Sequence, residues 1–333
     1  MGSTPKKVCV TGASGFIASH IVAQLLQKGY EVHGTVRTLD DESKTQHLRS
    51  LPGAESRLKL FATGNLGDPV TGPGSFDQAV SGCYAVCHVA CPLAPKGSDE
   101  DGETVIYKPA LAGTEEILKA VSKAGTVQVF VLTSSMSAVA PQPEPPIKSE
   151  EHWSDPDAQK ARGNWYGAAK TMQEKLVMAH MKGYEQTRGK EPFRYAAVCP
   201  TAVFGPMLQP NINFTMNWVK GLYTGSKDKA PNDSMSFIDV RDTAAHHVAC
   251  IEQDTAKGRF ISVVESCHWN DIMKMLKEIR PTMPAVAPCD GEPVRPTQFD
   301  STKMDSLGVK VLSVREILKS AHDEFVAKGL LTP

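Results

Sequence analysis

Through the first half of the chain, short apolar runs alternate with stretches whose apolar residues recur at helical spacing. The runs are KKVCVTG, YEVHGTVR, RLKLFA, CYAVCHVA and VQVFVLTSS, and the first gaps between them predict helices near Phe16 to Lys28 and Glu42 to Leu51. Strands of this kind are apolar on both faces, so both faces must be covered, while each intervening helix has one apolar stripe to bury. A parallel sheet with helices wound over either side satisfies both demands, which predicts an α/β, doubly wound fold. After the fifth run, APQPEPPIKSE carries prolines that neither a central strand nor a helix interior accepts, and a surface loop is expected. From Pro200 the spacing turns irregular: loop-like GPMLQPNIN and PNDSMS, a helix near Arg241 to Glu252, a strand RFISVV, and helices near Asp271 to Glu278 and Val314 to Lys328. The expected division gives residues 1–200 plus about 235–264 to the large sheet domain, and about 201–234 plus 265–333 to a smaller C-terminal lobe.

The first strand runs directly into TGASGFIA, with Gly12, Gly15 and Ala18 at the spacing G-x-x-G-x-x-A. Gly12 allows the sharp turn, Gly15 lets backbone approach a pyrophosphate, and Ala18 lets the helix pack close to the sheet. The helix start around Ser14, Gly15, Phe16 and Ile17 supplies N–H donors and partial positive charge. Glycines mark ordinary turns at least as often; the strand before and the helix after turn the trio into a Rossmann dinucleotide site. About twenty residues farther on, an NAD-binding chain places an acid for the ribose 2′-hydroxyl. Here the second strand ends GTVR. Arg37 suits a 2′-phosphate, which a guanidinium binds through paired charged hydrogen bonds, and Lys44 offers a second cation. The same two residues also read as solvated surface charges, and Asp40 and Asp41 remain available to a ribose. The absent acid favours NADP(H).

The fifth strand ends in TSSMSAV, which puts hydroxyls at the carboxyl end of a strand, where a doubly wound sheet presents its ligand crevice. Beyond it, NWYGAAKTMQEKLV predicts a helix on which Tyr166 and Lys170, four residues apart, share one face. A phenol titrates near 10 in water and is a poor acid partner at neutral pH. A neighbouring ammonium and a positively charged nicotinamide ring favour the phenolate and are expected to lower that value. A Tyr-x-x-x-Lys pair is also a common surface contact, so its weight comes from the glycine loop and strand-end serines that accompany it.

These elements resemble the extended branch of the short-chain dehydrogenase/reductase superfamily, over nearly the whole chain. More narrowly, TVR with Lys44, HVACP, TSSMSAV, NWYGAAK, GPMLQPNIN, FIDVRD and VAKGLL are similar to the dihydroflavonol-reductase and cinnamoyl-CoA-reductase group, which also contains aldehyde and ketone reductases. The resemblance implies that Ser135 hydrogen-bonds the substrate oxygen, that Tyr166 donates the proton, and that Lys170 binds the nicotinamide ribose and tunes the tyrosine. It further implies Asn65 and Leu66 at the adenine, Val89, Ala90 and Cys91 along the cofactor spine, and Pro200 to Val203 at the nicotinamide. The chain departs from the group at several positions. Ala140 stands where flavonoid-reducing members carry asparagine, and NWYGAAK stands where the thioester reductases have NWYCYGK. Trp218 and Gly221 occupy positions that are His and basic in those thioester reductases, and Asn65 replaces the usual Asp. Met136, Phe204, Met207, Leu208, Phe214 and Trp218 read either as an apolar substrate pocket or as plain core. The activity implied is NADPH-dependent reduction of an aldehyde or ketone, reversible as an alcohol dehydrogenase. The rivals are a cinnamoyl-CoA-type thioester reductase, a dihydroflavonol-type reductase, a sugar-nucleotide epimerase or dehydratase that retains NAD, and an NADPH-binding regulatory protein without turnover.

Composition narrows the partners. With 36 Lys+Arg against 37 Asp+Glu in 333 residues, the net charge of −1 gives no general field for nucleic acid or anionic membrane. No apolar run approaches the ~18 residues that cross a bilayer, and MGSTPKK leads into the first strand without a signal-peptide pattern. The expectation is a cytoplasmic protein, monomer or homodimer, whose partner is a small-molecule carbonyl or alcohol. Cys83, Cys87 and Cys91 repeat every fourth residue, but a strand does not gather such positions, so no metal is expected, nor any structural disulfide. His246 and His247 read as structural, Asp239, Arg241 and Asp242 as a helix cap, and SDEDGE at 98–103 as a solvated loop before a helix.

Overall fold

A computed structural model of the chain describes residues 5–68, 74–93 and 101–332. The first half runs β1 (Lys7–Val10), α1 (Phe16–Gln27), β2 (Glu31–Val36), α2 (Gln46–Arg49), α3 (Ala54–Arg57), β3 (Leu58–Ala62), α4 (Asp77–Val80), β4 (Ala85–His88), α5 (Lys108–Ala124) and β5 (Val129–Thr133). It continues through β6 (Ile147–Lys148), α6 (Pro156–Ala161), α7 (Trp165–Arg188), β7 (Arg194–Pro200), β8 (Ala202–Phe204), α8 (Phe214–Tyr223), β9 (Ser234–Asp239) and α9 (Val240–Glu252). The last part holds β10 (Gly258–Ser262), β11 (Glu265–His268), α10 (Trp269–Ile279), β12 (Gln298–Phe299), α11 (Thr302–Asp305) and α12 (Val314–Ala327).

Seven strands form one sheet in the order β10-β7-β5-β4-β1-β2-β3, and every neighbouring pair is parallel. This is the doubly wound Rossmann arrangement, whose order reverses between β1 and β4 and so opens a crevice at their carboxyl ends. The period of two along each strand decides which face a residue serves. Val8, Val10, Val129 and Val131 point to one face, where Ile21 and Leu25 of α1 meet Val248 and Ile251 of α9. Cys9, Val86, Phe130 and Leu132 point to the other, against Ile117 and Val121 of α5 and Val177 of α7. Both faces are therefore dry, as the uninterrupted apolar runs require.

A second core lies under a three-stranded sheet, β11-β9-β8. There α8, α10 and α12 bury Tyr223, Leu276, Ile317 and Phe325 against Phe204 and Phe237. Helix α9 and strand β10 lie on the large sheet, whereas β9 pairs within the small one. A two-residue strand interrupts the proline-rich loop: β6 pairs in parallel with β12 and ties that loop to the C-terminal part.

Two local expectations change. The helix expected near Glu42 to Leu51 is split into a 3-10 turn at Glu42–Lys44 and α2, because Thr45 sits at φ −121° between them. Of the acidic run, residues 98–100 lie outside the described residues, and the rest is the start of a helix rather than a loop. Asp101 accepts the N–H of Glu103, and a π-type turn over Glu103–Tyr107 leads into α5. Among the described residues no helix is long and apolar enough to cross a membrane.

Candidate active site

The glycine turn after β1 is shaped by a close approach. Gly12 has φ +63°, and a Cβ placed there would sit 3.1 Å from the Cβ and 3.2 Å from the Cα of Ala90. Only glycine fits both the left-handed backbone and the gap. Gly15 then caps α1 with its backbone alone, and the first turn carries no side-chain cap and no acid. The N–H groups of that turn are therefore left for an anion. The side chains of Phe16 and Ile17 turn away and pack on Val203, Ile238 and Val240, which joins the turn to the segment after buried Pro200.

One hydroxyl ties this turn to the end of β4. Thr11 Oγ1 accepts the N–H groups of Val89 and Ala90, both at 3.0 Å. Its own proton then goes to Nδ1 of His88, 3.0 Å away. That fixes the imidazole with its proton on Nε2, which donates to Thr114 Oγ1 at 3.2 Å. Thr114 in turn donates to the Ala110 carbonyl at 2.8 Å. Burial, helped by the Lys170 charge, pushes His88 down to about 3, so it stays neutral and holds this proton order.

Arg37 is exposed just past β2, and its guanidinium makes no hydrogen bond or ion pair among the described residues. Lys44 pairs with Asp41 at 3.0 Å, and Asp40 accepts the Thr38 hydroxyl at 2.8 Å, so both nearby acids are engaged locally. Leu66 packs so closely on α5 that a Cβ at Gly113 would lie 2.8 Å from it, while Asn65 is exposed. Two grooves lined by Lys7, Glu31, Arg57 and Lys59 among others open at the amino ends of the strands, the edge opposite all of these groups.

Ser135, Tyr166, Lys170 and Cys91 converge from the end of β5, helix α7 and the segment after β4. Asn164 caps α7 by accepting the Gly167 N–H at 3.0 Å, which sets the helix start that presents Tyr166. Lys170 is buried; its Nζ donates to the Thr133 carbonyl at 2.8 Å and lies 5.8 Å from the centre of the Tyr166 ring. Ser135 Oγ accepts the N–H of Ser137 at 3.2 Å and its hydroxyl at 2.9 Å, which leaves the serine proton free to donate. The neighbouring Ser135 hydroxyl favours the Tyr166 phenolate.

The net electrostatics differ from the expected lowering. Burial pushes the Tyr166 phenol up, and the downward pull of the Lys170 ammonium and the nearby Ser135 hydroxyl does not offset it. Desolvation of the phenolate is the larger effect because protein packs around the half-buried tyrosine and the fully buried Lys170 beside it. Burial opposes the Lys170 ammonium too, but Cys91, Tyr166 and Glu174 outweigh it, and its pKa rises. At neutral pH the pair is a phenol beside an ammonium.

Several residues that read equally as substrate pocket or core lie in the core or on the surface. Phe204 and Met207 are core of the small lobe, Trp218 stacks on Phe204 at 6.3 Å and meets Trp269 edge-on at 5.6 Å, and Phe214 is 74% exposed. His246 and His247 are buried and point apart, to Ser262 Oγ at 2.9 Å and Thr133 Oγ1 at 2.7 Å. Asp239 caps α9 and binds Arg241 through two 2.8 Å contacts. Sequence pattern gives no sign of Thr11, His88, Glu174 or Arg259 as parts of the site. Only Asn164, just before Trp165 and Tyr166, carries a local signal, that of a helix cap.

A family model described as the NAD dependent epimerase/dehydratase family matches residues 8–263. The chain is similar to cinnamoyl-CoA reductase 1 of Oryza sativa subsp. japonica, 36% identical over 320 residues that cover 94% of this chain and 88% of the relative. It is 33% identical to a bifunctional dihydroflavonol 4-reductase/flavanone 4-reductase of Malus domestica over 345 residues, 99% of this chain and 93% of that one. Among solved structures, yeast methylglyoxal/isovaleraldehyde reductase complexed with NADPH superposes with a TM-score of 0.83 at 26% identity, covering 98% of this chain and 100% of the other.

Proposed function

We infer the function from the fact that this chain belongs to the NAD dependent epimerase/dehydratase family: it is an NADP(H)-dependent oxidoreductase acting on carbonyl and alcohol groups. Its reaction is the reduction of an aldehyde or ketone, with Tyr166 as the proton donor. The observation that carries it is the convergence of Ser135, Tyr166 and Lys170 at the carboxyl end of the sheet, beside the Gly12 turn.

The residues present fit the dinucleotide. The uncapped first turn of α1 offers N–H groups to the pyrophosphate, and the Gly12 cradle against Ala90 leaves room for close approach. Arg37, without a partner among the described residues, is available to a 2′-phosphate, whereas Asp40 and Asp41 are engaged by Thr38 and Lys44 rather than open to a ribose 2′-hydroxyl, which supports NADP(H) over NAD(H). Lys170 is the residue for the nicotinamide ribose. When bound, the cofactor supplies a hydride at nicotinamide C4.

The protein's own part is to hold and protonate the oxygen. Ser135, with its proton free, donates a hydrogen bond to the substrate carbonyl and so orients it. Tyr166, kept as a phenol by burial, gives its proton to that oxygen as negative charge develops there. The Lys170 ammonium stabilises the phenolate left behind, and the same groups run backwards in alcohol oxidation. NADPH consumption followed across aliphatic, aromatic and CoA-linked carbonyl compounds tests the reading; turnover of aldehydes or ketones is expected. A second reading, reduction of a CoA thioester, is favoured by the likeness to cinnamoyl-CoA reductase. Cinnamoyl-CoA in that panel separates the two.

A further inference from the structure

Three residues one turn apart on α7 meet three consecutive residues at the end of β5. Tyr166 faces Ser135, Lys170 donates to the Thr133 carbonyl, and Glu174 Oε1 accepts the Ser134 hydroxyl at 2.5 Å. The first two contacts belong to the chemistry; the third does not. Glu174 is fully buried and paired with Arg259, whose Nε lies 2.8 Å from Oε2 and whose second nitrogen lies 3.2 Å from Oε1. Arg259 comes from β10, at the edge of the sheet, and its remaining donors go to backbone. They bind the carbonyls of Ala138 at 2.8 Å, Glu150 at 3.1 Å and His152 at 2.5 Å, and the guanidinium lies 3.9 Å from the centre of the Trp153 ring.

Those carbonyls belong to the loop that leaves the β5 tip with Ser135 and returns near residue 154. One ion pair thus grips both ends of the serine loop and one turn of the tyrosine helix. A buried pair of this kind is poor evidence for stability, because desolvation offsets most of the attraction. Its value lies in geometry: the carboxylate sets the register of the Ser134–Ser135 tip against α7, where about 1 Å of drift is enough to cost a hundredfold in rate.

We propose that Glu174, held by Arg259, is a positioning residue for carbonyl reduction, fixing the strand tip so that Ser135 stays in hydrogen-bonding reach of Tyr166 and the substrate oxygen. This rests on the reading of Ser135, Tyr166 and Lys170 given above. The chemistry touches neither Glu174 nor Arg259; Arg259 acts through Glu174 and the loop, and Glu174 acts through Ser134 and by its charge on Lys170, an effect that Ser134→Ala leaves in place.

The test compares the wild type with Tyr166→Phe, Ser134→Ala, Glu174→Gln and the double variant Glu174→Gln/Arg259→Gln. NADPH binding is followed by fluorescence titration, turnover with isovaleraldehyde or cinnamaldehyde, and stability by thermal denaturation. Ser134→Ala cuts the tether and leaves the ion pair intact. Its kcat is expected to fall about tenfold or more, with NADPH Kd and aldehyde KM within about threefold of wild type. Glu174→Gln is expected to lose kcat and thermal stability together, since it strands a buried guanidinium. The double variant removes the stranded charge and regains part of that stability, although the loop carbonyls lose Arg259, while kcat stays low. A kcat that recovers along with stability, or that is undiminished in Ser134→Ala, overturns the positioning role. If the wild type reduces no aldehyde, or Tyr166→Phe turns over as fast as it does, the failure belongs to the underlying reading of the triad instead.

Discussion

Replacing Thr11 by Val preserves shape and β-branching and deletes one oxygen. That oxygen accepts two backbone N–H groups, from Val89 and Ala90, and gives its proton to His88. The substitution leaves three polar groups without a partner. A buried donor or acceptor stranded in this way costs roughly 1–3 kcal/mol. The two backbone groups are half-buried, so the lower end applies and the total is about 3 kcal/mol. With an unfolding entropy of about 2.1 cal/mol/K per residue over 333 residues, that lowers Tm by roughly 4 °C. The second consequence is local. Val89 and Ala90 are held against Gly12 by the same oxygen, and once released they no longer keep the cradle in shape. A loss of about 1.4 kcal/mol in binding is a tenfold rise in NADPH Kd. Thr11→Ser keeps the oxygen and serves as the control. Thermal denaturation and NADPH titration of both variants decide the matter: Thr11→Val should fall well below Thr11→Ser in both. Equal Tm and equal affinity would refute the role given to the hydroxyl.

Arg37→Ala should lower the preference for NADPH over NADH by at least about tenfold, through a higher KM for NADPH and little change for NADH, because the exposed guanidinium has no partner among the described residues. Initial rates with the two cofactors check it, and an unchanged ratio would move the 2′-phosphate site elsewhere. Stability should fall as pH drops below about 6.5. Burial lowers His88 to about 3 and His246 and His247 to about 4, so their contribution is present above the unfolded value and is lost as acid protonates the unfolded chain. Asp242, raised by burial to about 6, acts in the opposite direction over that range and leaves a net uptake of about two protons on unfolding near pH 5. A Tm that stays level from pH 7 to pH 5 would contradict this.

The parts of the site that are local in sequence are legible there, and the parts made by convergence are not. Gly12 and Gly15 sit between a strand and a helix that can each be read from periodicity, and Tyr166 and Lys170 share a helix face by spacing alone. Thr11 and His88 are 77 positions apart and Glu174 and Arg259 are 85 apart, so the hydrogen bonds that join them leave no local pattern. The direction of the Tyr166 shift escapes the sequence for a related reason: the ammonium four residues away can be read there, whereas the depth of burial that outweighs it depends on how β4, β5 and α7 close together. Likewise Phe204 and Met207 carry the same apolar character whether they line a pocket or fill a core, and only the docking of α8, α10 and α12 assigns them to the core.

Under the proposed mechanism the Tyr166 phenol delivers the proton in a cleft that binds NADPH independently of it. Measuring kcat and NADPH Kd for Tyr166→Phe, with an aldehyde the wild type reduces, tests this most directly. A fall in kcat of about 10²–10⁴-fold with Kd within about threefold is the expected result. A variant that keeps kcat within a small factor of wild type would contradict the account.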